Sequence, residues 1–261
     1  MAHPKLIMSL LLKGQGGFMT TISAAAHLDI ILGSQKKKAV PDWIGDAIYG
    51  VNDGLGAIFG IIAGVAGYTA DSHTILISGM FGALASTLSM AAGAWLATKS
   101  ENELMERGMG QAREDVRMYP ERELHTLSLL YQTKGFEEQD ADRIAKTIAS
   151  NEENFINTMA QEKYGLHESH KGKPGSAALF GGVSTLVGGI VPLIPFFILH
   201  GTAALVLAAI VSVAAHVAVG ALKSIVTVRS LWASGFEMTL VGVLVGVISY
   251  ALGIGGFALL K

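Results

Sequence analysis

The 261-residue chain has no cysteine, only six prolines and a charged fraction of 15%. Without cysteine there is no disulfide, no thiolate metal site and no cysteine nucleophile. A soluble domain of ordinary composition carries about 25% charged residues, so the low fraction excludes that class. Catalytic signatures are also missing: there is no Walker A loop, no Gly-x-Ser-x-Gly, no His-Glu-x-x-His and no Glu-x-x-His pair of the ferritin type. The chain therefore reads as a non-enzyme with no tightly bound cofactor. A net charge of −2 with no single basic patch gives no argument for nucleic acid.

What is present is apolar. Hydrophobic residues make up 51% of the chain and glycine 32 positions, the composition of a polytopic membrane protein whose helices pack closely. Five stretches are long enough to span a bilayer, for which about 20 apolar residues suffice: 46–68, 74–97, 176–199, 202–225 and 236–260. The five-residue loop 69–73 makes the first two an antiparallel hairpin. Pro192 and Pro195 predict a kink in the third. Residues 1–45 read as an interfacial or poorly ordered arm, and residues 98–174 as a charged, soluble module of about three helices, the first continuing from the second span. Pro120 marks a helix start and Gly165 a helix end. The expected organisation is thus all-α: an arm over 1–45, a hairpin over 46–97, a helical module over 98–174 and three further spans over 175–261.

Basic residues orient this layout. Of 19 Lys and Arg, five precede the first span, eleven lie between Lys99 and Lys173, two are Lys223 and Arg229, and one is Lys261. The positive-inside rule then places the N-terminus and the module in the cytoplasm. The expected location is the plasma membrane if the chain is bacterial and an organelle membrane if it is eukaryotic.

Candidate functional residues fall in two regions. In the first span Asp46, Asp53, Gly56, Gly60, Gly64 and Gly67 share one helical face, so an intramembrane carboxylate lies on the stripe that lets backbones approach. Such an acid is a functional hypothesis by default, although it can also snorkel at the membrane edge. Met90 of the second span reaches a comparable depth, and shares a face with Ser86 and Gly93. A carboxylate and a thioether at one level suit a transition-metal ion such as Fe²⁺, with Mn²⁺ and Zn²⁺ as further candidates, better than Mg²⁺ or Ca²⁺. Core packing is the plainer role for Met90. His216, on a stripe with Ser212, Gly220 and Lys223, can carry protons or bond a backbone carbonyl. Glu237 is expected to pair with Lys223 or Arg229. In the module the candidate ligands are Glu103, Glu106, Glu114, Glu121, Glu123, Glu153, Met159 and Glu162, with Asp115 and Glu152 beside them. Met159 and Glu162 stand three apart and can point at one ion. Solvated faces are the ordinary role of such acids.

The segments 46–67 with Asn52-Asp53-Gly54, 89–93 (Ser-Met-Ala-Ala-Gly), 159–166 (Met-Ala-Gln-Glu-Lys-Tyr-Gly-Leu) and 188–195 (Gly-Gly-Ile-Val-Pro-Leu-Ile-Pro) resemble the vacuolar iron transporter family, in order and to the C-terminus. The resemblance implies a homodimer of five-helix protomers, a path lined by the first helices at the dimer interface and a cytoplasmic helical domain that collects metal on carboxylates. It implies export of ferrous iron from the cytoplasm in exchange for protons. On it, Asp53 matches the pathway acid, Met90 the pathway methionine, Met159 and Glu162 the end of the metal-collecting domain, and Glu114 and Glu123 further positions there. Gly82 stands where plant-type members have a second acid, and Ala94 where many members have Glu. A membrane-anchored metal-binding or sensory protein, with spans that only tether it, is the competing reading.

Overall fold

The computed structural model describes residues 43–166, 171–227 and 229–259. The N-terminal arm up to residue 42, with Lys36–Lys38, and the C-terminal Lys261 lie outside them. All regular structure in the described residues is helical, and five helices are long and apolar enough to cross a membrane. These are α1 (Trp43–Tyr68), α2 (Ser72–Met118), α6 (Pro174–Ile190) with its short extension α7 (Ile194–Ile198), α8 (Gly201–Val226) and α9 (Leu231–Leu259). Between α2 and α6 stand α3 (Pro120–Thr133), α4 (Glu138–Ala149) and α5 (Glu152–Tyr164).

The first helix begins three residues before the expected 46, and its Asp46 lies in the first turn, where a carboxylate complements the positive end of the helix dipole. The connection to α2 is only three residues, because Asp71 caps α2 by accepting from the His73 and Thr74 amides at 3.3 and 3.0 Å. From there α2 runs unbroken for 47 residues, about 70 Å at 1.5 Å per residue. A hydrocarbon core is about 30 Å thick, so the C-terminal part of α2 projects well beyond it as the first helix of the module. Pro192 and Pro195 act as expected. The third span leaves α-helical geometry for a 3₁₀ turn at Val191–Leu193 before α7 resumes.

Backbone contact between α1 and α6 is set by glycine. A β-carbon at Gly54 would collide with the Thr185 carbonyl, and one at Gly188 with the Val51 carbonyl. Outward along α1, Gly64 and Gly67 meet Gly253 and Tyr250 of α9, while Gly60 faces Val245 and Ser249. This corrects one expectation. The stripe of Gly56, Gly60 and Gly64 above Asp53 is the surface expected to pack a homodimer, but Gly60 and Gly64, with Gly67, meet the last helix of the same chain, whereas a β-carbon at Gly56 would meet nothing within 4 Å. Below and beside it an apolar cluster of Ile58, Phe59, Ile62, Ile75, Ala83, Leu193, Phe196, Ala204 and Ala208 joins α1, α2, α7 and α8. The Gly201 amide donates to Ser72 Oγ at 2.6 Å and so fixes the start of α8 beside the start of α2.

The module has its own small core of Val116, Leu127, Ala145, Phe155, Ile156 and Met159. Pro120 occupies the first turn of α3. Asn151 caps α5 through the Asn154 amide, and Gly165 ends it at φ +67°, a left-handed conformation that glycine adopts without strain.

Candidate functional site

The N-terminal half of α1, the middle of α2 and Gly181 of α6 enclose a cavity of about 570 Å³. Asp46, Tyr49 and Asp53 line it from α1, and Ser86, Ser89, Met90, Gly93, Ala94 and Ala97 from α2. The three α1 residues follow the i, i+3, i+7 spacing of one helical face, and Ser86, Met90, Gly93 and Ala97 do the same on α2. Space exists because the residues around the acids are small: a β-carbon at Gly93 would meet nothing within 4 Å.

Asp53 is partly buried and accepts a hydrogen bond from Ser86 Oγ at 3.0 Å. No Lys or Arg is among the described residues that line the cavity. The expected depth match therefore holds: Asp53 and Met90 line one space, and Asp46 stands about 10 Å from Asp53 along the helix. Beyond Ser86 the lining changes character. A β-carbon at Gly82 would touch Ile61 and Ile58, and one at Gly79 would touch Leu193 and Ile62. The polar cavity thus gives way to the apolar cluster, and Gly82 sits in packed hydrocarbon.

His216 lies elsewhere. It is 2% exposed, its Nδ1 is 2.7 Å from the Ser212 carbonyl, and its ring packs against Gly242 of α9. Of the two roles open to it, backbone bonding is the one its geometry displays, and it does not line the cavity. Glu237 pairs with Arg229 at 3.0 Å.

In the module the acids are distributed among cations. Glu123, 1% exposed, receives Lys163 Nζ at 2.9 Å and the Arg122 guanidinium at 3.0 Å. Lys163 also reaches Asp115 at 3.1 Å, and the Tyr164 hydroxyl donates to the same carboxylate at 2.7 Å. Burial opposes the charge on Lys163, but hydrogen bonds to Glu123, Asp115 and Tyr164 outweigh it and hold its pKa above that of an ordinary lysine. Burial and then the bond to Asp115 push the Tyr164 phenol up. Further pairs join Glu153 to Arg113, Glu152 to Arg117, Glu106 to Lys171, Glu103 to Lys99 and Glu162 to Lys134. Met159 is 1% exposed within the module core, so it and Glu162 face different surroundings despite their spacing. Glu114 and Glu121 are exposed. Among the described residues no group of three or more His, Asp or Glu stands close enough to hold one ion.

Sequence reasoning found Asp46, Asp53 and Met90 but assigned no role to Tyr49, Ser86 or Ser89. The signal was available in the shared face of residues 46, 49 and 53, and in the hydroxyls flanking Met90.

Comparison with known proteins bears on this arrangement. The signature of the VIT family matches residues 44–254. The chain is similar to Vacuolar iron transporter 1 of Arabidopsis thaliana, 25% identical over 220 residues that cover 84% of this chain and 88% of that one. It is 27% identical to Vacuolar iron transporter 1 of Tulipa gesneriana, over 84% of this chain and 89% of that one. A shorter match, 26% identical over 58% of this chain and 57% of the other, is to Vacuolar iron transporter of Acanthamoeba castellanii.

Proposed function

The chain belongs to the VIT family, a family of metal-ion transporters rather than enzymes, and we propose that it exports divalent iron, or manganese, from the cytoplasm in exchange for protons. The observation that carries this reading is Asp53, a carboxylate within a span, in a cavity whose described lining holds no Lys or Arg and brings Met90 to the same space. A metal ion is attracted to the ionised carboxylate, and a proton removes that charge, so the two occupants exclude each other. Exclusion at one residue couples two opposed fluxes when only the occupied site changes its side of access.

Basic residues on the module side support a cytoplasmic N-terminus and module. In that orientation the cavity begins at the cytoplasmic mouth, at Asp46 and Ala97, and the cluster of Ile58, Ile62, Leu193 and Phe196 closes the far side. This is the arrangement of an inward-facing state in alternating access. Exposed acids of the module, among them Glu103, Glu106, Glu114, Glu121 and Glu153, raise the local cation concentration near that mouth, and ligation by Glu123 or Glu162 requires displacement of Lys163, Arg122 or Lys134. A homodimer remains part of the proposal, with a contact surface other than Gly60 and Gly64. The relatives' names favour an organelle membrane.

Flux of Fe²⁺ and of protons in liposomes under an imposed pH gradient tests the reading. Asp53→Asn is expected to abolish metal-driven proton movement. Unchanged coupling in that variant, or a parent protein that binds metal without moving it, would return the chain to the anchored metal-binding class.

A further inference from the structure

Among the described residues, Ser86 makes the one side-chain hydrogen bond to the Asp53 carboxylate. Its Oγ–H donates to Asp53 Oδ2 at 3.0 Å. A hydroxyl has one proton and two lone pairs, so after donating to Asp53 it keeps acceptor capacity for a cation. The bond occupies one carboxylate oxygen, so a cation in the cavity can take Asp53 Oδ1 and the Ser86 oxygen together while the Ser86 proton stays on Oδ2.

Donor chemistry sharpens this. Met90 lies one turn from Ser86 on α2, and its thioether favours softer ions, whereas carboxylate and hydroxyl oxygens suit Mn²⁺ and other hard ions. The other polar groups facing the pair are Asp46 and Tyr49 from α1 and Ser89 from α2, while α6 has no ionisable side chain. No fixed cation among the described lining residues competes for the two oxygens.

We propose that Ser86 determines cation selectivity, orienting the Asp53 carboxylate through its hydroxyl proton and supplying a second hard oxygen, so that the cavity takes Mn²⁺ as well as Fe²⁺. The assignment rests on the proposed reading of the cavity as a metal-binding site. Its test is equilibrium binding of Mn²⁺ and of Fe²⁺, the latter under anaerobic conditions, to the full-length protein in detergent, counting only the component that Asp53→Asn removes. Ser86→Ala should weaken Mn²⁺ binding about tenfold and Fe²⁺ binding about threefold or less, and Ser86→Thr should restore both. An equal effect on the two ions, no effect, a threonine variant as poor as alanine, or a parent without an Asp53-dependent component would overturn it. Liposome flux separates the two proposals. Ser86-dependent binding in a protein that moves no metal keeps this assignment and removes transport. Asp53-dependent flux with selectivity indifferent to Ser86→Ala keeps transport and removes this assignment.

Discussion

Asp53 and Glu123 are both carboxylates drawn out of water, and their surroundings answer the charge in different ways. Glu123, at 1% exposure in the module, is met by two fixed cations, Arg122 and Lys163. Asp53, in the membrane half, is met by a neutral hydroxyl. A buried charge needs a partner. Where the partner is a covalently attached ammonium the pair is part of the framework, and where it is only a hydroxyl the charge remains available to a mobile ion. On the proposed function, the difference gives structure to one acid and transit to the other.

The comparison breaks most completely if the cavity is given the module's chemistry. Ser86→Lys places an ammonium beside Asp53, and metal flux in liposomes should fall by at least about 100-fold, as it should in Asp53→Asn, while the helical content of the protein is unchanged. Retained flux in either variant would mean the two acids are not distinguished by their partners. Next in size is the reverse experiment. Lys163→Met leaves the buried Glu123 with Arg122 alone, which should cost about 2–3 kcal/mol of local stability, read as faster amide exchange in α3 and α5, with flux reduced by less than tenfold. The sign of the pH dependence follows from the raised pKa of Lys163. Its stabilisation is complete below the unfolded lysine value of about 10.4 and is lost as pH rises through the higher folded value, so the protection of α3 and α5 against exchange, after division by the base-catalysed intrinsic rate, should be flat between about pH 6 and 9 and fall only in strong alkali. Met90→Leu is a smaller change: it keeps the cavity's volume and its acid, and should lower Fe²⁺ flux several-fold while weakening discrimination against Mg²⁺ in a competition assay. Smallest is Arg117→Gln, which removes an exposed, solvent-screened pair with Glu152 and should leave the thermal unfolding midpoint essentially where it was.

Helix positions were largely legible in the sequence because membrane spans are written in length and hydropathy, and Pro120, Gly165 and the Pro192/Pro195 pair mark local geometry that few other residues can adopt. The face shared by Asp46 and Asp53 was legible for the same reason. What single-helix periodicity does not contain is which neighbour a face meets. Gly60 and Gly64 were correctly placed on one stripe, yet the partner is α9, nearly two hundred residues on in the chain. The spacing of Met159 and Glu162 likewise fixes that they are neighbours on α5 but not that one turns into the module core and the other toward Lys134. Ion pairing in the module depends on long-range contacts such as Asp115 with Lys163, and a count of acids along the chain carries no trace of them.

The uninterrupted α2 turns the distance between the two regions into leverage. Met90 and Val116 sit on the same rod, 26 residues or about 39 Å apart, with no proline between them. A tilt of about 5° about the level of Met90 swings the far end by roughly 3 Å, as much as a hydrogen bond is long. Lys171 and Asn102 tie that rod to the residues entering α6, through Glu106 and the Gly172 carbonyl, so the third span is tethered to the same helix. Widening or narrowing the cavity by tilting α2 therefore strains the module and the α6 tether together, and a change in cation load on the module has a stiff mechanical route back to Asp53.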